Sequence, residues 1–82
     1  MEFSVIIPVR NRQGEIRRCV AGVLAGVYPR DRYEILVVDN GSTDATARTA
    51  AEAGARVIDQ PDPNRCRARN RGAAEARGRW LA

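Results

Sequence analysis

Apolar positions cluster in short blocks separated by polar segments, and the spacing within each block differs. Phe3-Ser4-Val5-Ile6-Ile7-Pro8-Val9 is β-branched and nearly continuous in apolar character, the pattern of a strand covered on both faces. Pro8 is expected to end it, because proline cannot donate to a sheet ladder. After the polar loop Arg10-Asn11-Arg12-Gln13-Gly14, Ile16, Val20, Val23, Leu24 and Val27 recur at spacings of three and four, which is one face of a helix. Tyr28-Pro29 closes that helix, since proline disfavours helical backbone at the residue before it.

Glu34-Ile35-Leu36-Val37-Val38-Asp39 carries four consecutive large aliphatics and ends in a carboxylate, as a buried parallel strand does when it emerges at a loop. Asn40 to Asp44 combines turn residues with helix-capping residues, and an Ala-rich helix follows to about Ala53, with Gly54 just past its end. Arg56-Val57-Ile58-Asp59 predicts a third strand, and Gln60-Pro61-Asp62-Pro63 a turn. Asn64 caps a third helix reaching about Arg77, with Gly78 at its end, and Trp80-Leu81-Ala82 begins a fourth strand. The order is α/β: about three βα units joined by crossovers long enough for parallel pairing, which predicts a layered parallel sheet with right-handed connections.

Composition makes this fold a thin one. Of the 82 residues 44% are apolar, but 13 of those are Ala, and Leu, Ile, Val and Phe together number only 17. That is near the level at which chains struggle to build a core, so the domain is expected to be weakly stabilised or incomplete. All 14 basic residues are Arg, and both Lys and His are absent. Missing His excludes a Ser-His-Asp triad and His-ligated zinc. Cys19 and Cys66 are too few for a four-ligand metal site and are expected to be buried thiols. Residues 64–82 carry six Arg against Glu75, while the first 63 residues balance at −1, so the basic character belongs to the C-terminal segment.

In open parallel sheets ligands bind beyond the C-terminal ends of the strands. Pro8 to Asn11, Asp39 to Asp44 and the start of the third helix are expected to meet there. Asp39 either accepts hydrogen bonds from a ligand N–H or hydroxyl or caps the turn that follows it. Ser42, Thr43 and Asp44 read as capping residues. At 100° per residue Arg69 lies near Gly72, Ala73 and Ala76, which predicts a guanidinium drawn inward to the strand ends, holding either a ligand anion or a local acid such as Asp39. The loop after the first strand has no G-x-G-x-x-G, and a P-loop is impossible without Lys.

These residues resemble the opening of a family 2 glycosyltransferase of the GT-A fold. The resemblance rests on Ser4 to Val9, on Glu34 to Asp44, and on Ala68-Arg69-Asn70-Arg71-Gly72 with Gly78-Arg79-Trp80-Leu81. It implies a three-layer, Rossmann-like parallel sheet, with residues 1–82 forming a single, incomplete nucleotide-sugar-binding domain cut as its fourth strand begins. By this resemblance Pro8, Val9 and Arg10 line the nucleotide pocket. Asp39 binds the base of the donor, typically through the N3–H of uracil, and Arg69 lies near the donor. Arg10 stands where the family usually has an aromatic, and Asn40 replaces a frequent second Asp.

The resemblance also implies that the complete enzyme transfers a sugar from a nucleotide-diphosphate sugar, a UDP-sugar first among donors, to an acceptor hydroxyl. It would use Mn or Mg held by an Asp-X-Asp motif. No such motif lies within the 82 residues, so neither a catalytic residue nor a bound metal is expected of this chain alone. A rival reading makes the Arg-rich segment 65–79 a small nucleic-acid-binding module. Its arginines lie on two helix faces with one nearby aromatic, Trp80, so no nucleic acid is expected as partner. Without a leader or a membrane-length apolar run, the expected location is the cytoplasm, or the cytoplasmic face of a membrane. An uncovered edge on the first strand predicts self-association of the isolated chain.

Overall fold

A computed structural model of the chain describes residues 2–26, 29–61, 65–78 and 80–81. In chain order the elements are β1 (Phe3–Val9), α1 (Gln13–Leu24), a 3-10 turn (Arg30–Arg32), β2 (Tyr33–Asp39), α2 (Thr46–Glu52), β3 (Arg56–Asp59), α3 (Arg65–Glu75) and β4 (Trp80–Leu81). Every strand pairing is parallel, and the sheet order is β3-β2-β1-β4. This is the α/β architecture that the hydrophobic pattern predicts. Val27 and Tyr28 at the expected end of the first helix, Asp62, Pro63 and Asn64 before the third, and Arg79 and Ala82 around the fourth strand lie outside the described residues.

The sheet is covered on both faces because successive side chains of a strand point to opposite sides. Tyr33, Ile35 and Val37 of β2 join Ile16 and Val20 of α1 and Ala50 of α2 in one core. Leu36 and Val38 join Ile6, Ile58 and Ala68 of α3 in the other. All seven residues of β2 are buried, so this central strand carries the largest share of the apolar burial. Each large aliphatic in it contributes about 1.5–3 kcal/mol relative to exposure. Gly54, at φ +110°, ends α2 in the left-handed backbone that only glycine adopts at little cost.

Two boundaries differ from expectation, each for a reason of long-range pairing. β1 continues through Pro8 to Val9. The Val9 carbonyl accepts from the Asn40 N–H at 2.7 Å, so Val9 turns its backbone toward β2, and by alternation Pro8 turns its missing donor toward the other edge. That edge is not bare along its whole length, since β4 pairs there with Phe3 and Ser4. The third helix stops at Glu75, short of Arg77. Beyond it the Arg77 N–H donates to Glu34 Oε2 at 2.5 Å and the Gly78 N–H to Ser4 Oγ at 2.7 Å, so neither is left for another helical turn.

The cysteines also depart from expectation. Cys19 and Cys66 are both exposed and neither is in a disulfide. Cys19 sits about 80° around the helix from the midline of Ile16 and Val20, and Cys66 is farther still from the Ala68 and Gly72 face. A thiol reagent such as DTNB is therefore expected to count two thiols in the native chain. A native count of zero, rising to two only in denaturant, would contradict this placement.

Candidate functional site

Register brings the two loops at the C-terminal edge of the sheet together. Pro8 pairs with Val38 and Val9 with Asp39, so the residues that leave β1 and β2 emerge side by side. A cavity of about 310 Å³ opens there. Ile7, Pro8, Val9 and Arg10 form one wall, Arg12, Glu15, Ile16 and Cys19 the wall toward α1, and Asn40 closes it from β2. An apolar floor with charged groups at the rim is the usual make-up of a small-molecule site.

Asp39 is 7% exposed, and its Oδ1 accepts the Ser42 N–H at 3.2 Å. The carboxylate thus caps its own turn, which is one of the two roles its position allows. Its backbone is held as well, since the Gln60 N–H donates to its carbonyl at 2.9 Å. Asn40 is 3% exposed, and its Oδ1 has no hydrogen-bond partner among the described residues. A buried acceptor without a partner is uncommon and costly, which marks Asn40 as a residue the sequence reading undervalued.

The loops after β1 and β2 are laced together. The Asn11 N–H donates to Ser42 Oγ at 2.8 Å, and Asn11 Oδ1 accepts the Thr43 N–H at 2.8 Å. The Arg12 N–H donates to Thr46 Oγ1 at 2.9 Å and the Gln13 N–H to Asp44 Oδ2 at 3.4 Å, while Gln13 Oε1 accepts the Ala45 N–H at 3.1 Å. Each helix start is therefore capped by side chains of the other, where the sequence suggested only local caps. Asp44 serves both, because it also takes the hydroxyl and the N–H of Thr46. The Thr46 hydroxyl is the largest of the effects holding its carboxyl below the usual aspartate range.

Of the residues singled out in the sequence, the structure gathers Pro8, Val9 and Arg10 around the cavity and sets Asp39 next to Val9. Arg69 does not join them and is not drawn inward: it is exposed on α3. The buried face of α3 follows Ala68 and Gly72, and a Cβ on Gly72 would come within 2.6 Å of Ile6 Cγ2. Arg69 lies about 80° from the midline of that face, too far to turn beneath the helix. Among the described residues no group of three or more Asp, Glu or Cys side chains is placed to hold a metal ion.

Comparison with known proteins agrees with this architecture. The family model for glycosyl transferase family 2 matches residues 4–82. The glycosyltransferase AglE of Haloferax volcanii is 38% identical over 85 residues, covering 96% of this chain but 28% of the relative, so the chain spans little more than a quarter of that protein's length. A mannosyltransferase from Pyrobaculum calidifontis, solved with GDP-Man and Mn2+, superposes with a TM-score of 0.84 at 24% identity, covering 92% of this chain and 24% of that one. Glucosyl-3-phosphoglycerate synthase from Mycobacterium tuberculosis, solved with Mn2+, UDP and glucosyl-3-phosphoglycerate, is 31% identical with a TM-score of 0.55, covering 71% of this chain and 20% of that one. The parallel sheet, the order of its motifs and the match over nearly every residue identify the chain as belonging to glycosyl transferase family 2.

Proposed function

We propose that this chain is the nucleotide-binding part of an enzyme that transfers a sugar from a nucleotide-diphosphate sugar to an acceptor hydroxyl. The observation that carries the reading is the pairing of Val9 with Asp39. It sets a cavity walled by Pro8, Val9 and Arg10 beside a carboxylate fixed at the end of the most buried strand. With Oδ1 of Asp39 occupied by Ser42, the second carboxylate oxygen accepts the N–H of a base. The exposed Arg10 guanidinium stacks on that base, the place an aromatic takes in the family pattern. Arg69, exposed on α3 and outside the cavity wall, keeps only the place near the donor that the family resemblance gives it. A UDP-sugar is the first donor to test. Structural relatives solved with Mn2+ support a divalent metal in the complete enzyme. The described residues offer it no ligand cluster, so no step through a metal is assigned to them.

Isothermal titration with UDP and GDP tests the site. Asp39→Ala is expected to weaken the preferred nucleotide at least about tenfold, the effect of one lost hydrogen bond to a charged group. Equal affinity of wild type and variant for every nucleoside diphosphate would remove Asp39 from the site.

A further inference from the structure

Asn11 is the one non-glycine residue among those described with a positive φ, at +52°. Asparagine tolerates this left-handed conformation better than most residues, but it carries a cost that must be repaid by what the conformation achieves. Here the turn directs both polar ends of Asn11 at the loop after β2: its N–H to Ser42 Oγ and its Oδ1 to the Thr43 N–H and, at 3.4 Å, the Thr43 hydroxyl. Ser42 in turn gives its own N–H to Asp39 Oδ1. A continuous chain of hydrogen bonds therefore runs from the residue next to Arg10, through Ser42, to the carboxylate of Asp39.

We propose that Asn11 is a positioning residue for the nucleotide site: by latching the two loops it fixes the orientation of the Asp39 carboxylate and the course of the chain through Arg10. This rests on the nucleotide reading above. The latch has two separable parts, a backbone conformation and a carboxamide. Glycine keeps the first and deletes the second, whereas aspartate keeps an acceptor oxygen and also tolerates a positive φ.

The test uses the full chain, with amide exchange followed by NMR and affinity measured for UDP and GDP. In Asn11→Gly the Ser42 and Thr43 amides are expected to exchange at least about tenfold faster, with Leu36 and Val37 in the core unchanged, and nucleotide affinity to fall about tenfold. Asn11→Asp should stay within about threefold of wild type in both. Because glycine keeps the backbone N–H that bonds Ser42 Oγ, unchanged Ser42 exchange in this variant would show that the carboxamide does not help to hold Asp39, and Asn11 would then not be a positioning residue. Faster exchange with unchanged affinity would show that the latch does not serve the site. An aspartate variant as impaired as the glycine one would remove the acceptor oxygen from the explanation. If wild type binds no nucleoside diphosphate, the nucleotide reading fails, and Ser42 exchange alone then decides whether Asn11 orients Asp39.

Discussion

Replacing Gly78 by alanine is expected to undock the C-terminal strand and to lower the melting temperature more than any other single methyl added to this chain. A Cβ at Gly78 would collide with the carbonyl carbon of Phe3 and stand 2.5 Å from both the backbone nitrogen and the Oγ of Ser4. Two of these atoms belong to the backbone of β1, which is pinned against β2 along its whole length, so they cannot step aside as a flexible side chain would. Gly72 also lies close to its neighbours, but there a Cβ meets side-chain methyls of Ile6 and Val38, which have some freedom to shift. The cost at Gly78 is about 3 kcal/mol, at the upper end of overpacking effects. A domain of this size has only about 4–12 kcal/mol of stability in total. The loss corresponds to a drop of roughly 12–24 °C in Tm. Scanning calorimetry of the two proteins would show it, and a variant melting within about 2 °C of wild type would mean that the chain crosses β1 by another path.

The sequence makes the elements and their order along the chain legible because each strand announces itself locally. Ile35 to Val38 are buried whichever neighbour lies on either side, and the i, i+4 pair Ile16 and Val20 needs one apolar face and finds it. What the sequence hides depends on partners far along the chain. Pro8 stays in β1 because its missing donor faces the edge that β4 covers only at Phe3 and Ser4, and no local pattern reveals which edge a residue faces. Arg69 reads as inward on a helical wheel, because Gly72, Ala73 and Ala76 all mark a small-residue face. The true face is chosen by where Ile6 and Val38 stand: it admits Ala68 and Gly72, with Ala76 packed beside them just past the helix end, and leaves Ala73 exposed. The candidate site shows the same division. Pro8, Val9, Arg10 and Asp39 are legible as strand ends, whereas the Asn11 latch depends on bonds made across some thirty residues, and the Asn40 oxygen shows no partner among the described residues.

Glu34 is the extreme case of such hidden long-range dependence, and removing its charge is expected to be nearly as damaging as filling the space at Gly78. It opens the predicted second strand as an apparently ordinary polar residue, yet its side chain is only 8% exposed. Its Oε2 accepts the Ser4 hydroxyl at 2.7 Å and the Arg77 N–H, while its Oε1 faces Arg56 Nη1 at 3.3 Å. Arg56 also holds Glu75 through Nη2 at 3.2 Å, so β1, β2, β3 and the end of α3 all meet at this carboxylate. Glutamine has the same shape but presents an amide N–H₂ where one of these donors now binds, and it loses the charge facing Arg56. The expected cost of Glu34→Gln is about 2–3 kcal/mol. It stays below the full penalty of a broken buried pair because Arg56 keeps Glu75.

The pH dependence separates this charge from simple packing. Burial pushes the Glu34 carboxyl up, but the Ser4 hydroxyl, the Arg77 N–H and Arg56 together outweigh it and hold the folded value below the ordinary 4.5. A carboxyl whose folded value is depressed adds stability above its unfolded value and loses it as pH falls through the folded one. The gap in unfolding free energy between wild type and Glu34→Gln should therefore be widest at neutral pH and narrow steadily below pH 4.5. Urea melts of both proteins from pH 7 downward measure that gap directly, and comparing the two cancels the parallel acid response of Asp44. A gap of constant size across the range would mean that Glu34 acts through shape alone, and that the junction between α3 and β4 is held by Ser4 and Gly78 without its charge.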